Sequence, residues 1–76
     1  MTQVQILMKN GAVIKYADTV GINADYQLTK DSESFDVEIE YNGEREINGI
    51  FGDVVEFGST SDYIRSGIKE LHIYND

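Results

Sequence analysis

Apolar and polar residues alternate along the beginning of the chain. Val4, Ile6 and Met8 are apolar, and Gln3 and Gln5 separate them. A period of two is typical of a β-strand that buries one face and exposes the other. The N-terminal segment is therefore predicted to be a half-buried strand.

The same alternation recurs further along the chain. Apolar residues occupy the even positions of segment 20–28 and the odd positions of segment 35–41. Two shorter apolar runs lie beside glycine, "AVIKY" at 12–16 and "GIFGDVVEFG" at 49–58. These patterns predict a strand in each of segments 20–28, 35–41 and 12–16, and a strand or a strand pair in segment 49–58.

Asn-Gly pairs occur at residues 10–11 and 42–43. Asn-Gly between alternating segments is a strong short-range signal for a β-hairpin. A three-residue loop with its glycine in the left-handed conformation keeps the apolar residues of both hairpins on one face. A two-residue loop at 42–43 would instead mix apolar and charged residues on both faces. We therefore predict two hairpins with three-residue loops.

In the first hairpin this register places Val4 opposite Tyr16 and Ile6 opposite Ile14. All four side chains then lie on one face, as a buried sheet face requires. The first hairpin is thus predicted to contribute one continuous apolar face to the core.

In the second hairpin, residues 35–47, the same rule places Glu38 opposite Glu46 and Glu40 opposite Glu44. Like charges directly opposed cost roughly 0.2–1 kcal/mol per pair. Burial of a Val or Ile side chain contributes more, about 1.5–3 kcal/mol. We therefore expect burial to set the register and the carboxylates to crowd together as a consequence.

The C-terminal part carries mixed signals. Residues 59–62 ("STSD") offer N-cap side chains, and apolar residues at helical spacing follow, but Gly67 interrupts them. We predict a short helical turn near residues 61–67 and then a strand over about 68–74. A continuous helix over 62–71 is the alternative.

These segments together predict a mainly β fold, or a small α+β fold if the C-terminal helix forms. The expected architecture is an antiparallel meander or a small barrel-like sheet of about five to six strands. No proline and no linker composition divides the 76 residues, so we expect a single domain, 1–76. Apolar residues make up 41% of the chain, which is typical of a folded domain rather than a disordered one.

The chain contains no cysteine, which excludes disulfides and thiolate metal sites. The apolar run near the N-terminus, residues 6–8, is too short for a signal peptide or a membrane span. We therefore expect a cytoplasmic protein.

The net charge of −8 is concentrated in one region. Between residues 31 and 56 the only base is Arg45, and the acids are Asp31, Glu33, Asp36, Glu38, Glu40, Glu44, Glu46, Asp53 and Glu56. This segment carries the whole net charge of the chain. Such a polyanion repels nucleic acid and anionic membranes, so we expect direct binding to neither.

No combination of residues indicates catalysis. His72, the only histidine, lies in a predicted strand between two apolar residues and should point away from the core. The segment 31–36 ("DSESFD") lacks the glycine and the distal glutamate of an EF-hand loop. No phosphate-binding glycine pattern occurs. We expect no enzymatic activity, no catalytic residue, no cofactor and no bound metal.

The acidic hairpin is the candidate interaction surface. Solubility and protection of sheet edges would explain its charge without any binding role. The functional hypothesis is that it binds a protein partner, and in its most specific form that it blocks a nucleic-acid-binding protein. Two opposed carboxylates at each ~6.8 Å step of the strand would give one charge per ~3.4 Å, against one per ~1.7 Å in duplex DNA. The candidate residues are Glu33, Asp36, Glu38, Glu40, Tyr41, Glu44, Glu46 and Glu56.

Self-assembly is the alternative function. The register of the first hairpin leaves Leu7 opposite Val13 on the face away from the core. An apolar pair in this position is expected to be covered or to lie at a partner surface. A structural or assembly protein that forms a homo-oligomer is therefore the second hypothesis.

The opening "VQILMKNGAVIKY", the small size, the absence of Cys and Pro and the acidic hairpin together resemble short accessory proteins of phages and prophages in Gram-positive bacteria. The resemblance covers about the first sixteen residues and the general style of the chain. It implies a dispensable, non-enzymatic protein, and some such proteins inhibit host enzymes. It carries no functional residue over to this chain.

Overall fold

The structure is a computed structural model that describes residues 1–75. Its strands are β1 Thr2–Met8, β2 Val13–Leu28, β3 Glu33–Asn48, β4 Val55–Phe57, β5 Ser61–Ile64 and β6 Ile68–Asn75. All pairings are antiparallel, and the six strands form one open sheet in the order β4-β5-β3-β2-β1-β6. The predicted mainly β fold, with an antiparallel sheet of about five to six strands, is confirmed.

The sheet is strongly curled. Residues 65–67 connect β5 directly to β6, although three strands lie between these two in the sheet. In a flat sheet β5 and β6 would be about 19 Å apart, at ~4.8 Å per strand. The chain from Ile64 to Ile68 spans at most ~14 Å. The sheet therefore curves in a barrel-like manner and encloses its own core.

The first hairpin has the predicted register. Val4 pairs with Tyr16 and Ile6 with Ile14. The amide of Gly11 donates to the carbonyl of Met8, and Gly11 has a φ of 90°. The three-residue loop with a left-handed glycine is confirmed.

The second predicted hairpin is wrong. Residues 33–48 form one continuous strand, β3, and its partner along the whole length is β2. The turn between them lies at residues 29–32, where the Thr29 amide donates to the Ser32 carbonyl. The carboxylates predicted to face each other across a hairpin therefore follow one another along a single strand.

Asn42-Gly43 forms a β-bulge instead of a turn. Asp18 pairs with Asn42 and Tyr16 with Arg45, so β3 has two residues where β2 has one. Gly43 has a φ of 76°, which glycine adopts without steric cost. The local preference of Asn-Gly is met by a bulge because the long β2–β3 ladder pairs more backbone groups than a short hairpin turning at residues 42–43 would.

The predicted helical turn near residues 61–67 is also wrong. Ser61–Ile64 is strand β5, and the helical element in the described chain is a 3-10 turn at Gly52–Val54. Asp62, predicted as a cap, is instead 1% exposed within the sheet. The strand predicted over about 68–74 is confirmed as β6.

The core lies on the concave face of the curled sheet. It is formed by the buried apolar residues Val4, Ile6, Met8, Ala12, Ile14, Tyr16, Val37, Ile39, Tyr41, Phe51, Val55, Ile64 and Ile68. The alternate residues of the same strands point to the other side, which we call the outer face.

Candidate interaction surface

Four of the predicted surface residues come together on the outer face, namely Asp36, Glu38, Glu40 and Glu56. Asp36, Glu38 and Glu40 alternate along β3, away from the buried Val37 and Ile39. Their spacing is ~6.8 Å per step, as expected for alternate residues of a strand.

Neighbouring strands extend this acidic surface sideways. Asp25 of β2 pairs with Asp36, and Glu56 of β4 lies two strands from Glu38, with Tyr63 of β5 between them. We call Asp25, Asp36, Glu38, Glu40 and Glu56 the acidic patch. Asp25 was not among the predicted residues because its pairing with Asp36 depends on the β2–β3 ladder.

No carboxylate of the acidic patch forms an ion pair within residues 1–75. The ion pairs found there join Lys9 to Glu33, Arg45 to Asp62 and His72 to Glu70. None of them uses a carboxylate of the patch.

Asp36 is the least satisfied member of the patch. Its Oδ1 atom is buried and has no hydrogen-bond partner, and its cross-strand neighbour is the like-charged Asp25. Buried polar atoms in proteins are normally hydrogen-bonded. The patch therefore contains an acceptor that the described chain does not satisfy.

The remaining predicted acids lie elsewhere. Glu44 and Glu46 line a groove of about 520 Å³ on the outer face, beyond the bulge, where Glu46 pairs with Lys15. Glu33 lies at the end of the β2–β3 hairpin, and its Oε1 is 3.9 Å from Nζ of Lys9. These three carboxylates are separate from the patch.

Tyr41 was predicted to belong to the interaction surface, and this is wrong because its side chain is buried. Only 3% of the residue is accessible, because position 41 is in mid-strand on the core side rather than at a turn. Its hydroxyl donates to the carbonyl of Gly58 at 2.7 Å.

A buried polar network lies beneath the sheet and was missed by sequence reasoning. The Asp62 carboxylate accepts hydrogen bonds from the Tyr16 hydroxyl (2.8 Å) and the Gly58 amide (2.9 Å). Its Oδ2 is also 3.1 Å from Nε of Arg45, and Arg45 Nη1 contacts the Tyr41 hydroxyl. The network joins β5 to β2 and β3, and so positions the strands that carry the patch.

Two signals in the sequence could have indicated this network. Arg45 is the single base within the acidic segment, and Asp62 has the same parity as the apolar Ile64. A charged residue in phase with a core position needs a buried partner of opposite charge.

Burial raises the pKa of Tyr16 far above its usual range, and the hydrogen bond to Asp62 raises it further. Desolvation disfavours the phenolate, and the neighbouring carboxylate repels it. Tyr16 therefore stays a neutral donor to Asp62 at physiological pH.

His72 points away from the core, as predicted. Its side chain is 45% exposed, and its Nε2 lies 3.2 Å from a carboxylate oxygen of Glu70. Its ring stacks on Tyr74 with a centroid distance of 6.2 Å. These contacts are those of a surface histidine on strand β6.

Comparison of the chain with protein-family models, with curated proteins and with solved structures gives no match. Within residues 1–75 no helix is long and apolar enough to cross a membrane. Among the same residues, no group of three or more metal-ligating side chains is placed to hold a metal ion.

Proposed function

We propose that this protein is a non-enzymatic, cytoplasmic interaction domain whose acidic patch binds a basic surface of a protein partner. The observation that supports this proposal is the uncompensated charge of the patch, including the buried, unpartnered oxygen of Asp36. Lysine or arginine side chains of a partner would supply the missing counter-charges.

Electrostatic complementarity of this kind accelerates association and excludes partners of like charge. The same charge repels nucleic acid and anionic lipid, so the partner is expected to be a protein. Solubility alone would be served equally well by carboxylates spread over the whole surface.

The most specific form of the proposal is that the partner's basic site also binds nucleic acid. Along β3 the carboxylates of Asp36, Glu38 and Glu40 recur every ~6.8 Å. One DNA strand carries a phosphate every ~3.4 Å, so the patch would match every second phosphate. Inhibition of a host enzyme would agree with the resemblance to phage and prophage accessory proteins. We propose that resemblance as part of the same hypothesis.

The test is affinity capture from a lysate of a Gram-positive bacterium at low and moderate salt. The bait is the unchanged protein, the patch variant Glu38→Gln/Glu40→Gln, or the control variant Glu44→Gln/Asp53→Asn. Both variants remove two exposed carboxylates, but only the first changes the patch. We expect one partner to be retained by the protein and by the control variant, to be lost from the patch variant, and to be eluted by duplex DNA.

Equal retention by both variants would overturn binding through the patch. If the partner depends on the patch but resists elution by DNA, patch binding stands and the nucleic-acid-blocking form is abandoned.

Self-assembly is the second candidate, and we propose a different surface for it. Leu7 and Val13 are opposed on the outer face, as predicted, but both are half-buried. The observation that favours assembly is instead the unpaired edge of β2 beyond Tyr16.

A further inference from the structure

Strand β2 has an open edge. On one side it pairs with β3 along its whole length, whereas on the other side β1 covers only residues 13–16. Within residues 1–75 no strand pairs with that second side beyond Tyr16. The β2–β3 ladder is regular from Gly21 to Leu28, so about 27 Å of strand without a bulge presents unpaired backbone groups.

The open edge also carries an exposed apolar row. Ile22, Tyr26 and Leu28 are 37%, 54% and 70% exposed, and Ala24 between them is exposed too. Natural edge strands are usually protected by proline, lysine or inward-pointing charge. Residues 20–28 contain neither proline nor lysine, and Asp25 is their only charged residue.

We propose that a second copy of this chain pairs antiparallel with this edge, about a twofold axis at Ala24. The contact would use the same surface on both copies, as a twofold interface requires. It would extend each sheet by backbone hydrogen bonds, with side chains setting the register. It uses only one member of the acidic patch, Asp25, and it gives the assembly role described above a specific geometry.

The side chains favour this axis over its neighbours. An axis at Ala24 places Ile22 opposite Tyr26 of the second copy and Asn23 opposite Asp25, with the small alanine where the two copies meet. An axis at Asp25 would oppose two carboxylates directly, which is unfavourable. An axis at Asn23 would direct Leu28 toward Asp18, where bulges make the ladder irregular. An axis between two residues would mix apolar and polar side chains on both faces.

Charge gives this contact a distinctive salt dependence. Each copy carries a net charge of −8, so two copies repel each other at low ionic strength. Added salt screens this repulsion without weakening the backbone hydrogen bonds. Self-association should therefore strengthen with salt, whereas binding of a basic partner to the acidic patch should weaken.

Cysteine cross-linking tests the axis directly, because the chain has no cysteine of its own. Opposed residues of an antiparallel pair have Cα atoms ~4.5–5.5 Å apart, within the ~4.4–6.8 Å range of disulfides. Ala24→Cys is expected to form a covalent dimer on mild oxidation in high salt. Ala17→Cys is the matched control, because its two copies would lie about 48 Å apart along the paired strands. Equal cross-linking of both variants would overturn the proposed contact.

Light scattering over a range of protein and salt concentrations measures the dimer without a cross-link. Asn23→Glu would place a second carboxylate opposite Asp25 at two positions in each dimer. We expect the dissociation constant of the dimer to rise five- to tenfold. Ser59→Glu adds the same charge in an exposed loop and should change dimerisation much less. A protein that stays monomeric at every concentration and salt level overturns self-pairing. Self-pairing is also overturned if the amides of the β2 edge become protected from hydrogen exchange only when a different protein is added. That result would assign the edge to a strand of the other protein.

Discussion

At the scale of single residues, Asp62 is the side chain on which the interior most depends. Its carboxylate is fully buried and is held by Tyr16, Arg45 and the amide of Gly58. Removal of one partner from a buried ion pair leaves the other charge uncompensated. The strand β5 owes its position to this network as well as to Ile64.

We predict that Asp62→Ala lowers the free energy of unfolding by about 3–5 kcal/mol. The physical reason is the unpaired guanidinium of Arg45, together with the buried donors of Tyr16 and Gly58 that lose their acceptor. Urea denaturation followed by circular dichroism measures the loss. Asp53→Ala, at an exposed position, should change the stability by no more than about 0.5 kcal/mol.

A double variant separates charge from packing. Asp62→Leu/Arg45→Met removes both charges and should lose less stability than Asp62→Ala alone, because paired removal leaves no buried charge. An equal or larger loss would contradict this account of the network.

The raised pKa of Tyr16 predicts a loss of stability in alkali. In the unfolded chain the Tyr16 hydroxyl loses its proton near pH ~10, whereas in the folded protein the same hydroxyl keeps its proton. The unfolded state is then favoured as the pH rises above that value, by up to ~1.4 kcal/mol per pH unit. Below pH ~10 both states are protonated and the effect is absent.

Tyr16→Phe should therefore flatten the decline of the unfolding free energy between about pH 10 and pH 11. The control Tyr26→Phe changes a half-exposed tyrosine and should leave the slope closer to that of the unchanged protein. Identical slopes for Tyr16→Phe and the unchanged protein would show that Tyr16 does not keep its proton.

At the scale of elements, glycines permit the two backbone features that shape β3. Gly43 allows the bulge, and Gly49 follows the end of the strand with a φ of 107°. A Cβ at position 43 would meet nothing within 4 Å, whereas one at position 49 would lie 2.6 Å from the Cβ of Ala12. The first glycine is needed for its conformation and the second for both conformation and space.

We predict that Gly43→Ala costs about 1–2 kcal/mol of stability, from the left-handed backbone alone. Gly49→Ala should cost about 1–3 kcal/mol more, because the added methyl group also overpacks against Ala12. Denaturant unfolding of both variants ranks them. A smaller loss for Gly49→Ala than for Gly43→Ala would contradict the close approach at Ala12.

Local signals predicted the elements better than they predicted their partners. The first hairpin joins neighbouring segments through three residues, so its turn residues and its alternating pattern both predict the same pairing. At Asn42-Gly43 the turn residues do not determine the pairing, because the same dipeptide can form a hairpin turn or a bulge. The choice depends on whether segment 20–28 takes segment 33–40 as its partner, which no local pattern contains.

At the scale of the whole molecule, the distribution of charge opposes the fold. Asp25, Asp36, Glu38 and Glu40 lie close together on one face without counter-ions. Their mutual repulsion is a cost that folding accepts in exchange for the burial of Val37 and Ile39. Such a cost agrees with the binding role proposed for the acidic patch.

We predict that salt stabilises the protein. Between about 0.01 M and 1 M NaCl the Debye length falls from ~30 Å to ~3 Å, and the free energy of unfolding should rise by about 1 kcal/mol as repulsion within the patch is screened. Thermal unfolding at a dilute, monomeric concentration measures this change.

Glu38→Gln/Glu40→Gln should be more stable than the unchanged protein at low salt and should respond less to added salt. Glu44→Gln/Asp53→Asn removes the same charge outside the patch and should keep most of the salt response. If the two variants respond alike, the repulsion is spread over the molecule rather than concentrated in the patch.

The candidate site was predictable only in part. Asp36, Glu38 and Glu40 share one face because alternate residues of a strand always do, whatever that strand pairs with. Tyr41 was misplaced because a supposed turn position is in fact mid-strand. Asp62 was predicted to cap a helix because Ser, Thr and Asp side chains are common helix caps. Its actual partner, Arg45, is distant in sequence, so no local pattern indicates the ion pair.

By itself, the sequence determined the period-two strands, the register of the first hairpin and the alignment of three carboxylates on one face. These follow from strand geometry and from residues close together in the chain. Only the tertiary structure decided that β2 pairs with β3 along fourteen residue pairs, that the sheet curls, and that Arg45 meets Asp62 in the core. The reason is that burial and backbone hydrogen bonding summed over a long ladder outweigh the preference of one Asn-Gly pair, and that sum belongs to the whole sheet.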